Sequence, residues 1–285
     1  MRKANTPLAI IFSVSAALVY ACLALLIQYA EAGLSNSMLV FFRQLIGFCC
    51  FLPFMAMNNK KNLQLKTNQL SLYLLRTFCN LSAMFCFYFA LRYLPLTDAV
   101  LLSYTRPLFI PIIVYFWFHK KWNRPIWYGL FMGFIGVLII LKPDHKLFDI
   151  AALIGLASAL FGAIAFTTLR RLTKTESSKQ ILFYYFTLSI PIAAVPLLVN
   201  WTNPTLNQWG LLCLIGLGGA LYQILLTRAY QCAKAFKVGS LLYSSVIFAW
   251  IFDQIIGKQA ITWTPLLGIF LIIFGSITAL KEETS

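Results

Sequence analysis

The chain has 285 residues, of which 60% are hydrophobic and 11% are charged, and its mean hydropathy is +0.80. This composition excludes a water-soluble globular enzyme and is typical of a polytopic membrane protein. The formal net charge of +15 would suggest a nucleic-acid partner in a soluble domain. Here the basic residues lie in short segments between apolar runs, which is a pattern of membrane topology, so we expect no nucleic-acid binding.

Apolar windows bounded by charged residues, Pro or Asn predict ten membrane-spanning helices. A span needs about 20 mostly apolar residues, and within lipid only a helix or a closed barrel satisfies its own backbone. The loops are too short to hold a soluble domain. The sequence therefore predicts an all-α integral membrane protein of the cell (inner) membrane, with spans at residues 8–28, 37–57, 69–91, 97–118, 125–141, 149–169, 180–199, 208–230, 238–256 and 262–280.

The Lys and Arg residues outside the spans predict the orientation, because an excess of basic residues in short loops marks the cytoplasmic side. If the N-terminus is inside, 15 of them are cytoplasmic and 4 are on the other side, so both termini are predicted to be cytoplasmic. The four outer residues are Arg92, Lys142, Lys146 and Lys258. The cytoplasmic set is Arg2, Lys3, Lys60, Lys61, Lys66, Lys120, Lys121, Arg124, Arg170, Arg171, Lys174, Lys179, Lys234, Lys237 and Lys281.

The second half of the chain repeats the first at a nearly constant offset. Tyr104 and Tyr243 are 139 residues apart, and the same offset relates Ala90 to Ala229, Phe109 to Phe248, Gly129 to Gly268 and Gly136 to Gly275. We interpret this as a duplication, with repeats at residues 8–141 and 149–280. Five spans in each unit force the second copy to be upside down. Two inverted five-helix repeats around a midplane cavity predict transport by alternating access.

Three sequence segments resemble the EamA-type drug/metabolite transporter superfamily: Ala90–Ala99 (ALRYLPLTDA), Ser103–Phe109 (SYTRPLF) and Gly133–Ile139 (GFIGVLI). The resemblance covers essentially the whole chain as two copies. It implies ten helices, a cavity lined mainly by spans 1, 3, 4, 6, 8 and 9, and movement of small metabolites without ATP. The chain is similar to bacterial members of the superfamily that include S-adenosylmethionine uptake carriers.

The sequence departs from this family at the ends of two spans. Members usually carry a Gly-Glu pair after the fourth and ninth spans. Here His119-Lys120 and Gly257-Lys258 occupy those places. The family glutamate therefore cannot be assigned a role in orientation or coupling in this protein.

Two arginines within predicted spans are candidates for binding the solute. Arg106 lies roughly 13 Å and Arg43 roughly 9 Å below the outer ends of their spans at the helical rise. An arginine at such depth is costly and indicates a functional site, although it could instead brace backbone carbonyls or snorkel to the surface. Pro107 and Pro111 remove backbone donors, so we expect the helix to kink beside Arg106.

Aromatic residues on the spans that the family uses for its cavity are further candidates for contact with the solute. Tyr104 and Tyr243 are expected to flank the pathway, because the duplication gives them symmetric depths. The alternative is that these side chains face lipid or form an interfacial belt. The other members of this set are Tyr88, Tyr222 and Trp250.

Asp253 is the acidic residue that lies clearly within a predicted span. A buried carboxylic acid there could carry a coupling proton. The alternative is a helix-end residue that forms a salt bridge near the outer surface.

The function predicted from these features is secondary transport of a small polar metabolite: an amino-acid derivative, an S-adenosylmethionine-like compound or an organic anion. The alternatives are an intramembrane lipid-modifying enzyme and a channel. An enzyme would need convergent acidic, His or Cys groups, a channel would need a filter or rings of charge, and ATP drive would need a phosphate-binding loop. None of these is visible, so we expect no catalytic site, metal or cofactor. The direction of transport and a homodimeric state stay open.

Overall fold

A computed structural model describes residues 6–30, 33–56, 67–94, 99, 102–103, 105–118, 124–141, 150–255 and 264–281. Within these ranges the chain forms α-helices joined by turns and short irregular segments, with no strand. The helices are α1 (Thr6–Ala30), α2 (Asn36–Ala56), α3 (Leu70–Tyr93), α4 (Arg106–Phe118), α5 (Arg124–Leu141), α6 (Ile150–Leu172), α7 (Ser178–Val199), α8 (Leu206–Cys232), α9 (Ala235–Leu242), α10 (Ser244–Ile255) and α11 (Thr264–Lys281).

Six of these helices, α1, α2, α3, α6, α7 and α8, are long and apolar enough to cross a membrane. Shorter apolar stretches lie in α4, in α5 and across α9 and α10. The predicted class of all-helical membrane protein is therefore confirmed, while the count of ten spans stays a prediction.

The fourth predicted span, 97–118, is interrupted by a turn at Thr105, and α4 begins at the next residue, Arg106. The amide of Thr105 donates to the carbonyl of Leu102 at 3.1 Å, and the Thr105 hydroxyl donates to the same oxygen at 2.7 Å. Pro107 has no amide hydrogen to continue the ladder. The break predicted beside Arg106 is thus present in the structure.

The ninth predicted span, 238–256, is also interrupted, which the sequence reasoning did not predict. The turn is at Tyr243, between α9 and α10. No proline lies in this segment. Instead, the hydroxyls of Ser240, Ser244 and Ser245 each donate to the backbone carbonyl three residues earlier. Such side-chain bonds compete with the helical ladder and explain why a helix can end here without proline.

The bundle is held together by close helix packing, with α1 along α8, α2 against α7 and α8, α3 against α6, and α5 along α11. A Cβ added at Gly136 would lie 2.5 Å from the carbonyl oxygen of Gly268, and one added at Gly275 would lie 2.5 Å from that of Gly129. The backbones of α5 and α11 therefore touch. Small residues that let backbones approach this closely are a common means of helix association in membranes.

Candidate functional site

Two adjoining cavities lie in the middle of the bundle and share Tyr20, Arg106, Phe166 and Tyr222 in their walls. The first, which we call the central cavity, also has Arg43 and Tyr88 in its wall. The second, which we call the side cavity, also has Ser103 in its wall. The walls combine apolar and aromatic side chains with a few polar groups, which is the usual character of a site for a small molecule.

Arg106 lies between the two cavities, in the first turn of α4. Its Nη2 donates to the hydroxyl of Ser103 at 2.5 Å, and its guanidinium lies 5.8 Å from the centroid of the Phe166 ring. The Nε of Arg106 is buried and has no hydrogen-bond partner among the described residues. The turn at Thr105 thus places the Arg106 side chain beside the two cavities. Its guanidinium retains hydrogen-bond donors that no described residue accepts.

Arg43 lies on α2 in the wall of the central cavity and is only 7% exposed. Its Nη1 donates to the hydroxyl of Tyr88 at 3.2 Å. No other hydrogen bond of this guanidinium is formed within the described part of the chain. A nearly buried cation with a single neutral partner is an expensive arrangement unless something else compensates for its charge.

A glycine makes room for each of these arginines. A Cβ added at Gly162 of α6 would lie 2.7 Å from Cδ and Nε of Arg106. One added at Gly219 of α8 would lie 2.8 Å from Cγ and Nε of Arg43. Both arginine side chains therefore lie directly against the backbone of a neighbouring helix, which fixes their positions.

A third arginine, Arg76, contacts Gln223 of the central cavity wall and donates two hydrogen bonds to neighbouring helices. It donates to the carbonyl of Ile181 at 3.2 Å and to Oε1 of Gln223 at 3.4 Å, and it lies 4.8 Å from the centroid of the Tyr185 ring. Asn80 donates to the Tyr185 hydroxyl at 2.7 Å. This network joins α3 to α7 and α8, so Arg76 acts as a structural brace.

The described part of the cavity walls contains no carboxylate. Glu176 is the acidic residue whose side chain the structure describes, and it lies in the connection between α6 and α7. It accepts a hydrogen bond from Thr67, which precedes α3. Among the described residues, the hydrogen-bond partners of Arg43 and Arg106 are the neutral hydroxyls of Tyr88 and Ser103, and Arg106 also lies near the Phe166 ring. The charged groups of the described cavity walls are thus two arginines, whose charge favours anions.

Four of the residues predicted from the sequence, Arg106, Arg43, Tyr88 and Tyr222, lie together in the wall of the central cavity. Tyr104 lies outside the described residues, as does the side chain of Asp253, whose backbone belongs to α10. Their expected roles remain predictions.

Tyr243 and Trp250 are not among the lining residues of the two cavities, and their expected roles remain predictions. Tyr243 is fully buried, and its ring packs against Gly133 of α5. The turn between α9 and α10 places the ring there, and the absent side chain of Gly133 leaves space for it. Trp250 is partly buried against the apolar core and is not part of either cavity wall.

Sequence reasoning missed several residues of the cavity walls. Ser103 precedes Arg106 by three residues, a spacing at which helical side chains meet, and could have been found on that basis. Asn80 and Gln223 are amides within otherwise apolar helices, which is also a usable signal. Tyr20 and Phe166 could not be separated from the many other aromatic residues of the chain.

A helical membrane bundle with a mainly apolar cavity and a few polar groups in its wall fits the class of small-molecule transporters. The EamA-like transporter family matches residues 7–142 and again residues 149–280. The chain belongs to this family, and the resemblance described from the sequence is confirmed.

Relatives in this family are named as transporters of different small molecules. The pseudopaline exporter CntI of Pseudomonas aeruginosa is 28% identical over 250 residues, which cover 85% of this chain and 87% of that protein. The S-adenosylmethionine uptake transporter of Rickettsia bellii is 26% identical, covering 90% and 87%. The riboflavin transporter of Vibrio cholerae is 28% identical, covering 79% and 76%. A solved crystal structure has the same fold, with a TM-score of 0.81 and 16% identity over 97% of this chain and 98% of that one.

Proposed function

We propose that this protein is a secondary transporter that moves a small organic anion across the cytoplasmic (inner) membrane by alternating access. The proposal rests on Arg106, whose Nε atom is buried without a hydrogen-bond partner among the described residues. This side chain lies beside two cavities whose described walls contain no carboxylate. A desolvated guanidinium binds a carboxylate or phosphate in a bidentate manner. An anionic group of the solute would supply the acceptors that Arg106 lacks.

Charge decides among the solute classes that the sequence suggests. A cationic compound would enter a cavity that already holds two arginines, so it would be repelled. An organic anion would be attracted, and an amino-acid derivative could bind through its carboxylate. The relatives named above carry three different solutes, so membership of the family does not by itself select one.

Alternating access in this proposal rests on two inverted repeats of five spans, residues 8–141 and 149–280. The glycine contacts between α5 and α11 support it, because Gly136 faces Gly268 while Gly129 faces Gly275. In the repeat, whose offset is 139 residues, Gly129 corresponds to Gly268 and Gly136 corresponds to Gly275. Each of the two contacts is therefore the repeat-related copy of the other, as expected for helices related by a two-fold axis. The cavity walls likewise combine Arg43 from the first half with Tyr222 from the second.

We further propose Asp253 as the coupling group if transport is driven by protons. Exchange of one solute for another would need no carboxylate. Asp253→Asn should then abolish uptake driven by a pH gradient and leave exchange measurable. Unchanged accumulation in this variant would remove Asp253 from the mechanism.

The experiment that tests the proposed function is a solute screen in ATP-free proteoliposomes. Labelled organic anions, amino acids and S-adenosylmethionine would each be offered with and without a pH gradient, and liposomes without protein would serve as the control. We expect saturable uptake of at least one anionic solute and competition by other anions. Transport restricted to cationic or uncharged solutes would contradict the proposal.

A further inference from the structure

The two cavity arginines carry more hydrogen-bond donors than the described residues accept. A guanidinium carries five N–H donors in a planar fork. Among the described residues, Arg43 donates one hydrogen bond, to Tyr88, and Arg106 donates one, to Ser103. Both partners are neutral. Nε of Arg106 is moreover buried without a partner among the described residues, and a buried donor without an acceptor is costly. We therefore expect another molecule to supply acceptors to both side chains.

Arg76 shows that the fold can satisfy a buried arginine when its role is structural. Its guanidinium bonds to the carbonyl of Ile181 and to Gln223, and it lies over the ring of Tyr185. Among the described residues, Arg43 and Arg106 each donate one hydrogen bond, and Arg106 also lies 5.8 Å from the centroid of the Phe166 ring. We therefore interpret Arg76 as a structural residue, and Arg43 and Arg106 as side chains that are available to a ligand.

The two available arginines are separate points of attachment in one cavity. Arg43 extends from α2 and lies against Gly219 of α8, whereas Arg106 extends from α4 and lies against Gly162 of α6. Since the two side chains extend from different helices and lie against different helices, we expect each guanidinium to bind an anionic group of its own. A solute with a single negative charge would leave the second arginine uncompensated.

We infer that the solute carries two anionic groups, carboxylate or phosphate, of which one binds Arg106 and the other binds Arg43. This inference rests on the proposed function and specifies its substrate class. The part of the solute between the two groups would contact Tyr20 and Tyr222, whose rings are 5.4 Å apart in the wall shared by both cavities. A middle part that is apolar or planar fits these surfaces.

The test is binding of matched acids to the purified full-length protein, measured by thermal stabilisation. The probes are the dicarboxylates succinate, glutarate and adipate, the monocarboxylates butyrate, valerate and hexanoate, and 3-phosphonopropionate to compare phosphonate with carboxylate. We expect one dicarboxylate, or the phosphonate, to bind roughly tenfold or more tightly than the monocarboxylate of matched length. The length that binds best reports the separation of the two guanidinium groups.

Variants assign the two groups to the two arginines. Arg43→Gln and Arg106→Gln should each reduce binding of the preferred dianion to the level of the monocarboxylate. Arg43→Lys, which keeps the buried charge if Arg43→Gln does not fold, should give an intermediate preference. Arg228→Gln is the matched control, because Arg228 is exposed on α8, and it should change nothing.

Two results would overturn the inference and are distinguishable from each other. Equal binding of mono- and dianions, with a loss only in Arg106→Gln, would leave one anionic site and preserve the proposed function. Absence of binding by every anion would overturn both the inference and the proposed function.

Discussion

Gly219 is the residue whose role is most directly testable, because its missing side chain makes the space for Arg43. Gly219→Ala would place a Cβ 2.8 Å from the Arg43 side chain and force the guanidinium to move. We expect weaker binding of the anionic solute with a normal yield of folded protein. The measurement is solute affinity by thermal stabilisation, compared with the yield after size-exclusion chromatography.

Gly210 provides the control on the same helix. A Cβ added there meets no atom within 4 Å, and replacing a helical glycine by alanine normally stabilises the helix. Gly210→Ala should therefore bind solute normally. If Gly219→Ala also bound normally, Arg43 would not need its present position, and its assignment to the binding site would fail.

At the scale of single residues, the sequence could predict the deep arginines because a charge in an apolar run is visible without a structure. It could not predict which aromatic rings face the cavity. Tyr222 and Tyr243 are both tyrosines on suitable spans, yet the first lines the central cavity and the second packs on Gly133. This difference depends on how each helix is rotated and broken, which local composition does not encode.

The helix breaks beside α4 and α9 also differ in how far the sequence could predict them. Pro107 made the first break predictable, because proline lacks a backbone donor. The second break has no proline, and its serine-to-carbonyl bonds are made by residues that also occur in uninterrupted helices. The composition of the segment 238–256 therefore predicted one continuous span.

The role of Tyr243, in the turn between α9 and α10, can be tested by substitution. Its hydroxyl is buried without a hydrogen-bond partner among the described residues, so removing it should cost nothing. We expect Tyr243→Phe to transport normally and to have an unchanged or higher melting temperature, since a buried unsatisfied group is unfavourable. Tyr243→Ala should instead lower the melting temperature by leaving a void against Gly133.

Transport rates and melting temperatures of both variants distinguish packing from a role in the pathway. A large loss of transport in Tyr243→Phe at normal stability would support the prediction that this tyrosine contacts the solute.

For the whole molecule, the family and the all-helical class followed from composition and from motifs spread along the chain. Orientation is still a prediction from the charge count, and labelling of single cysteines tests it. Seven native cysteines would first be replaced. Lys174→Cys should react with an impermeant reagent only after the membrane is opened, whereas Asn203→Cys should react from outside.

Both positions are exposed in the structure, so failure to react cannot be attributed to burial. Labelling of position 174 from outside, with none at position 203, would reverse the orientation and place both termini outside.

The proposed binding of an anionic group of the solute by Arg106 is tested most directly by replacing Arg106 with Lys and with Gln. Lysine keeps the charge but loses the planar fork, so Arg106→Lys should bind the anion clearly more weakly. Arg106→Gln should nearly abolish binding, because loss of a charge-assisted pair costs about 2–5 kcal/mol, well over tenfold in affinity.

The measurement is the affinity of purified Arg106→Lys and Arg106→Gln for the transported anion, with melting temperature and yield recorded on the same samples. We expect a graded loss of affinity in folded protein. Parallel loss of yield and stability in both variants would make Arg106 a structural brace. Normal affinity at normal yield in Arg106→Gln would show that Arg106 does not bind the solute.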